Sequence, residues 1–471
     1  MSIAWLVVCA VGFQVPPASA ETPAFQLVKV NVPARPIETP VLSHRVLPPL
    51  EEITTGNAAV HFATAMAPES YVFTRNADYN KKLELWLNDP LDKLPKDEMR
   101  FLVNSFMLAE AERGARKSYC DWQMKDRLKD GVATLLPELQ AYRMIASSLR
   151  ARARLHLADN KPDLALRDVQ TTLALGRSIA DGPTLIHHLV GVAVCQIGFN
   201  TLQEYMKHRD SANLFWSLGY MPGPFVSFMT ALEGERLFIG AEFPGLERDK
   251  PISQEQARLL SVRFEKLMGM ASPSTPSASP VFLTGLALTG YTDAKEYLVR
   301  VKKLPLQVVE AMPVAQVVLL RQLEEYETIR DEIFKAAMLP VPQALAILRE
   351  TDSKLKKIPQ TMGPLTLLKL VLPSMTGVVR AHHRPDRTIA ALRTIEALRH
   401  HVARHGVLPE NLESIGFPLP VDPFTQKILV YKKTGPMTCT LDGIAPEGET
   451  PNQSNAIRYE ITVRAMLGNK E

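Results

Sequence analysis

A long stretch without a single Asp, Glu, Lys or Arg, Gly182 to Gln203, does most to restrict how this chain can fold. It covers most of the last of three consecutive predicted helices, Ala141 to Ala158, Pro162 to Ala180 and Pro183 to Met206. A helix without a charged face has to be surrounded by other helices. Because short connections make successive helices antiparallel neighbours, the three are predicted to form the centre of a helical core.

The length and the charge of the chain limit the classes of protein to which it can belong. The chain has 471 residues, which is long for one hydrophobic core and predicts two or three domains. Lys and Arg number 54 against 50 Asp and Glu, and the two signs are interspersed. Because proteins that bind nucleic acid usually carry a basic patch or stripe, we predict no nucleic-acid partner.

Residues 1–20 have the pattern of a secretory signal peptide. An apolar run, Ile3 to Phe13, precedes Ala18-Ser19-Ala20, which matches an A-x-A cleavage site before Glu21. No Lys or Arg precedes the apolar run, so an upstream start codon stays open as an alternative. The pattern predicts an exported bacterial protein, periplasmic or secreted, with no transmembrane segment after signal cleavage.

Three cysteines remain after removal of the signal peptide: Cys120, Cys195 and Cys439. An odd number allows at most one disulfide bond within the chain, and whether any forms stays open. Cys195 lies in the charge-free helix and Cys439 in a predicted strand. Both are therefore interpreted as small buried apolar residues.

Composition divides the mature chain into three parts. Residues 21–56 are rich in proline and lack periodicity, which predicts an extended, solvated tether. Residues 57–382 form the predicted helical body, interrupted by an exposed loop rich in Ser and Pro at 271–280. Residues 383–471 form a predicted C-terminal module, and Pro385 with Asp386 predicts a tight turn that docks this module on the body.

The C-terminal module changes from helical to alternating periodicity. Its predicted helix, Thr388 to His405, ends at Gly406. Ile428 to Lys432, Met437 to Leu441 and Ile457 to Val463 then alternate apolar and polar residues, which predicts a three-stranded antiparallel sheet. The predicted fold class is mostly α, with packed, irregular helical hairpins and a small C-terminal α+β module.

The turn between the first two central helices, His156 to Leu166, resembles the turn of a tetratricopeptide repeat. Ala153 and Ala165 stand where that motif places its small helix-contact residues. The resemblance covers one repeat, and no second copy lies at a spacing of about 34 residues on either side. It implies an irregular, tetratricopeptide-like array of helical hairpins.

Two further resemblances concern the end of the chain. The turn Asp422-Pro423-Phe424 and its surroundings, Thr388 to Leu441, resemble the segment after the long helix of secretion pseudopilins. Together with Cys120-Asp121-Trp122 in a helical body, this ending also resembles a family of large, uncharacterised exported bacterial proteins over most of the mature chain. The pilin cleavage motif and assembly helix do not occur in the sequence, so filament formation is not implied.

Histidines are the main candidates for chemistry, because the sequence contains no phosphate loop, dinucleotide fingerprint, nucleophile elbow, zinc helix, paired C-x-x-C or calcium loop. His401 and His405 share a helical face, with His400 beside them and His382-His383 earlier, a spacing that allows a metal site. The final turn of a helix is also where imidazolium stabilises the carbonyl end of the dipole. We favour this second interpretation, with no metal.

Three other groups each allow two interpretations. His187 and His188 suit either a catalytic base, with Asp181 or Glu204, or hydrogen-bonded core histidines, and we favour the core. Trp122 marks either a site or a packed helix junction, and we favour packing. The third group consists of Arg150, Arg152 and Arg154. These arginines could bind an acidic ligand or form a solvated basic face of the helix, and we favour the solvated face.

Two classes of function remain open from the sequence. The leading hypothesis is an exported, non-enzymatic scaffold or binding protein of the bacterial cell envelope, because helical-hairpin arrays present extended surfaces. Its partner is predicted to be a protein or an envelope component, and the oligomeric state stays open. The alternative is an envelope hydrolase or metal-dependent enzyme that uses a histidine cluster. We predict no catalytic residue, no metal ligand and no cofactor.

Overall fold

The computed structural model describes residues 24–67, 76–124, 127, 138–271, 280–357 and 375–465. The predicted signal peptide lies outside these residues, and so does most of the predicted loop rich in Ser and Pro, at 272–279. Over the described residues the protein is predominantly α-helical, with a small module of helix and sheet. This result confirms the predicted fold class.

Helices dominate the middle of the described chain, and the strands lie towards its two ends. The strands are β1 (Gln26–Pro33), β2 (Thr54–Asn57), β3 (Lys117–Tyr119), β4 (Val430–Lys433), β5 (Thr438–Gly443) and β6 (Ile457–Arg464). The helices are α1 (Ala58–Ala65), α2 (Ala77–Asn88), α3 (Lys96–Met99), α4 (Phe106–Gly114), α5 (Glu138–Ala158), α6 (Pro162–Ala180), α7 (Leu185–Lys207), α8 (Phe215–Gly219), α9 (Met229–Glu242), α10 (Gln254–Ala271), α11 (Pro280–Arg300), α12 (Leu306–Ala311), α13 (Val314–Ala337), α14 (Val341–Lys357) and α15 (Met375–His405).

The chain divides into two compact units. The larger unit contains the described parts of residues 15–122, 136–231 and 380–471, and the smaller unit contains those of residues 232–379 with 123, 124 and 127. The predicted helical body, 57–382, is therefore divided, and its first half shares a unit with the C-terminal module. The smaller unit is helical, and one of its apolar clusters joins α10 to α13 through Leu260 and Tyr326.

The hairpins of α5, α6 and α7 form the centre of the larger unit, as the sequence predicts. Glycines let α6 and α7 approach closely, because a Cβ at Gly176 would lie 2.6 Å from Cys195 Sγ. Among the described helices, α7 alone is long and apolar enough to cross a membrane, but 72% of its most apolar window is buried. Buried core helices have the same length and composition, so α7 is not identified as a membrane span by these properties.

The sheet has four strands in the order β1-β6-β5-β4. Strands β4, β5 and β6 are antiparallel, as predicted, and β1 adds a parallel strand along β6. The prediction of a solvated tether at 21–56 is therefore wrong for β1, where Val30 and Val32 are buried. The flanking prolines concealed this strand in the sequence. Its partner, β6, lies more than 400 residues away along the chain, and local patterns carry no information about pairing at such a distance.

A continuous helix, α15, replaces the predicted turn at Pro385 and Asp386. The predicted module boundary at 382/383 falls inside this helix, close to the division between the two compact units at 379/380. Proline is tolerated here although it removes one backbone donor. Asp386 accepts a hydrogen bond from the backbone N–H of Phe225 at 2.9 Å, and Arg387 is held by Asp422, so tertiary contacts stabilise the helix on either side of the proline.

Candidate functional site

An open cleft of about 540 Å³ lies in the larger unit. Its lining comes from residues 45–53, residues 115–120, the last turns of α6 and residues 217–227. Arg45, Lys117 and Arg177 all line it, and we call it the cationic cleft. These three side chains come from distant parts of the sequence, and only tertiary folding brings them to one surface.

Arg177 projects from the C-terminal part of α6 and is half-buried. Its Nε donates a hydrogen bond to the backbone oxygen of Phe225 at 3.0 Å, and its guanidinium lies 5.6 Å from the centre of the Phe225 ring. Burial lowers the pKa of Arg177, because the charged form loses hydration. An anion beside this guanidinium would offset that loss.

Lys117 lies on β3, which pairs in parallel with β2. Its Nζ donates a hydrogen bond to Thr54 Oγ1 at 3.1 Å. Gly56 adopts a φ of +150°, and a Cβ at this position would lie 3.2 Å from Lys117 Cδ. Glycine therefore satisfies the backbone conformation of β2 and leaves room for the lysine side chain.

Arg45 precedes the buried Val46 in the segment between β1 and β2. Its Nε donates to the backbone oxygen of Leu42 at 3.3 Å, and its guanidinium lies 4.9 Å from the centre of the Tyr220 ring. The arginine is thus positioned by a carbonyl and an aromatic face rather than by a carboxylate.

None of these three cations forms an ion pair with a described carboxylate. Asp181 is the only carboxylate among the lining residues that the structure describes, and it accepts a hydrogen bond from Thr230 at 3.0 Å. Many other arginines of the larger unit are paired with acids: Arg116–Glu52, Arg152–Asp168, Arg154–Glu204, Arg387–Asp422 and Arg399–Glu396. The cationic cleft therefore has an excess of positive charge that can attract an anion.

Cys120, the first residue of the Cys120-Asp121-Trp122 cluster, forms part of the wall of the cleft. Trp122 Nε1 donates to the backbone oxygen of Ser178 at 2.8 Å, and its ring packs on Phe62 and Tyr142. These contacts agree with the interpretation of Trp122 as a packing residue. Burial raises the pKa of Cys120 to about 12, so its thiol stays protonated at neutral pH and lacks the charge of a nucleophilic thiolate.

His187 and His188 are buried in α7, as core histidines would be. His188 Nδ1 lies 3.2 Å from the backbone oxygen of Ala180, and its Nε2 lies 3.2 Å from Nδ1 of His382 on α15. The ring centre of His188 is also 4.7 Å from that of Phe228. Burial lowers the pKa of His188 to about 4 and that of His382 well below its usual value, so both rings are neutral at pH 7.

The histidines near the end of α15 also contact the backbone or one another. Nδ1 of His400 accepts a hydrogen bond from the backbone N–H of Ile37 at 2.8 Å, which leaves this nitrogen unsuited to bind a metal. The rings of His401 and His405 lie 4.4 Å apart, and the helix ends at Gly406, as predicted. Within the described ranges, no group of three or more His, Cys, Asp or Glu side chains is arranged to hold a metal ion.

The prediction of a solvated basic face on α5 is wrong. Arg152 and Arg154 are each only 6% exposed. Arg152 donates to Asp168 on α6, and both Arg150 and Arg154 donate to Glu204 on α7. Charged residues at this spacing resemble a surface stripe in the sequence, but here they join three helices through buried ion pairs.

A second cavity, of about 160 Å³, lies between the sheet and the helices α7 and α15. Its lining includes the amides of Gln26, Gln196 and Asn200 together with Arg384. Sites for small molecules usually enclose about 300–1,000 Å³, a range that the cationic cleft reaches and this cavity does not. The cationic cleft is therefore the candidate functional site.

The sequence analysis did not identify this site, apart from Cys120 and Asp181 on its wall. Arg45 lay in the predicted tether, and neither Lys117 nor Arg177 stood in a recognisable motif. The aromatic residues Tyr119 and Trp122 on either side of Cys120 were a local signal, and of the two only Tyr119 lines the cleft. Comparison of the chain with protein-family models, with curated proteins and with solved structures gave no match, so the three sequence resemblances stay predictions.

Proposed function

We propose that this protein is an exported, non-enzymatic binding protein of the bacterial cell envelope and that the cationic cleft is its binding site. The observation that carries the proposal is the presence of three cations, Arg45, Lys117 and Arg177, without a described carboxylate partner in one cleft. A partly buried charge without a partner loses part of its hydration free energy, and a ligand of opposite charge offsets this loss.

Exposed apolar side chains in the same cleft support binding. Leu50, Tyr119 and Tyr220 line it and are 83%, 56% and 67% exposed. Large apolar side chains that stay exposed next to polar groups commonly mark interaction sites, and tyrosine is enriched among the residues that dominate binding energy. The cationic cleft thus combines charged side chains that can orient a ligand with exposed apolar side chains that can contribute to its affinity.

The lining of the cleft supports binding over hydrolysis. It includes hydroxyl groups, among them Ser178 and Ser217, but the described lining contains no histidine. A serine nucleophile needs a base within hydrogen-bonding distance. Ser217 instead donates to the backbone oxygen of His44, and Asp181 accepts from Thr230. This arrangement favours a binding protein over the envelope hydrolase that was the alternative hypothesis.

The compartment and the partner class in this proposal come from the sequence. The predicted signal peptide places the mature chain in the periplasm or outside the cell. The partner is then a component of the envelope, bound at the cationic cleft, and no nucleic acid is involved.

The experiment that tests the proposal is purification from native envelope extracts, with identification of bound molecules by mass spectrometry. Wild type and a variant with Arg45→Gln and Lys117→Gln are compared, and a double variant with Lys81→Gln and Arg258→Gln is the control. Lys81 and Arg258 are exposed and lie outside the cleft. We expect a bound component with wild type and control that the cleft variant loses.

Two results would contradict the proposal. One is retention of every bound component by the cleft variant, which would place the binding site elsewhere. The other is stoichiometric zinc or another transition metal in tag-free protein, lost on replacement of His401 and His405, which would favour the metal-dependent enzyme.

A further inference from the structure

We infer that the ligand of the cationic cleft is a small acidic amphiphile, with a carboxylate or phosphate-ester group attached to an apolar body. This inference rests on the proposed binding function and adds the chemical class of the ligand. It is carried by the arrangement of cations and apolar side chains around the cleft, which is independent of the compartment.

The cations point to an acidic group on the ligand. Arg177 Nε donates to the backbone oxygen of Phe225, and its Nη1 and Nη2 donate to no described residue. Arg45 likewise uses Nε for Leu42, with no described acceptor recorded for its two terminal nitrogens. Paired guanidinium nitrogens match the two oxygens of a carboxylate or phosphate. Lys117 adds a third charge with a flexible position.

The apolar part of the lining points to an apolar body on the ligand. Leu47, Pro48, Leu50 and Ile53 belong to the cleft, and Val226 lies on another part of its wall. Leu50 is 83% exposed, so its side chain gains most if a ligand covers it. A small inorganic anion would leave this surface in water, and a hydrocarbon without an acid would leave the three cations unpaired. Only a molecule with both parts satisfies the whole lining.

The cleft volume limits the size of this molecule. About 540 Å³ falls in the range of pockets that hold small organic ligands. The cleft is therefore suited to one acidic group with a short chain or ring, whether this is a free acid or the end of an envelope lipid. Titration with vesicles that contain phosphatidic acid, beside the short-chain acids of the test below, distinguishes these two sources.

The test is isothermal titration of the full-length mature protein with octanoate, octyl phosphate and octanamide. Octanamide has the chain length of octanoate without the charge. We expect octanoate or octyl phosphate to bind at least about tenfold more tightly than octanamide, in keeping with a charge-assisted hydrogen bond. Arg177→Gln and Lys117→Gln should each weaken binding of the acid by about tenfold and leave the affinity for octanamide unchanged. Lys81→Gln is the matched control.

The possible outcomes separate the acidic class of the ligand from the proposed binding function. Equal affinity for octanoate and octanamide would overturn the acidic class and leave a binding function in place. Binding of neither acid, with a cleft-dependent protein partner in the envelope extracts, would also overturn the inference but not the proposed function. Absence of any cleft-dependent partner would contradict both. Thermal melting of each variant shows whether a loss of binding reflects loss of fold, and Lys117→Gln, whose residue is partly exposed, provides the milder substitution.

Discussion

Arg387 and Asp422 form a buried ion pair that joins α15 to the turn before the sheet. Arg387 Nη2 donates to Asp422 Oδ2 at 2.7 Å, and Nε donates to the same carboxylate at 3.0 Å. The guanidinium also lies 4.3 Å from the centre of the Phe424 ring and donates to the backbone oxygen of Asn455. The Asp-Pro-Phe turn, which the sequence analysis compared with pseudopilins, thus has a structural role in this chain.

Asp422→Asn should destabilise the protein by about 3–5 kcal/mol, because it leaves the Arg387 guanidinium buried without a counter-charge. The measurement is the free energy of unfolding in urea. Asp442→Asn breaks the more exposed pair with Arg458 and should cost less than about 1 kcal/mol. Equal effects of the two substitutions would show that burial of the first pair does not matter.

Stability should fall as the pH falls from 6.5 to 4, because His188 is buried in its neutral form. Its pKa is about 4 in the folded protein against an ordinary value of 6.5. Between these values the unfolded chain binds the proton and the folded protein does not, so protonation favours unfolding. This one group contributes up to about 3 kcal/mol of the change, and none of it is lost above pH 6.5.

His188→Phe should reduce this pH dependence, measured as the free energy of unfolding at steps between pH 7 and 4. Some dependence remains, because burial also lowers the pKa of His156 to about 4 and that of His382 well below its usual value. An unchanged slope in His188→Phe would mean that this histidine does not titrate on unfolding.

Gly191→Ala should destabilise the larger unit by about 1–3 kcal/mol, since the new methyl group overlaps the backbone of Ala180 on α6. Backbone atoms cannot move aside as the end of a flexible side chain can. Gly240→Ala is the matched control in another helix, where a Cβ meets nothing within 4 Å. It should stabilise by up to about 1 kcal/mol, because alanine is the better helix former. Thermal unfolding of both variants checks the opposite signs.

Trypsin should cut after Lys303 before it cuts after Arg387, the nearest tryptic site to Pro385 that proline does not block. Lys303 is exposed, has a φ of +60° and lies in the connection between α11 and α12. Arg384 and Arg387 lie inside α15, and proteases need a locally unfolded segment. Mass spectrometry of early fragments gives the order. Early release of a fragment that starts at Thr388 would mean that α15 opens near Pro385.

Local patterns in the sequence were enough to predict those helices and strands whose burial pattern can be read within the element itself. The absence of charged residues from Gly182 to Gln203, which covers most of α7, predicted burial, because a helix without a charged face has no side to present to water. The alternation along β6 predicted a half-buried strand, and Gly406 predicted the end of α15. These properties follow from the periodicity of the backbone, which is read within one element.

Tertiary structure alone decided which distant groups meet. It placed β1 beside β6, kept α15 helical through Pro385, and paired Arg152 with Asp168 inside the core. It also brought Arg45 to the cationic cleft from a segment that looked like a tether. The physical reason is that a sequence pattern indicates whether a side chain prefers water, but the partner that satisfies a strand edge or a charge is chosen by packing across the whole unit.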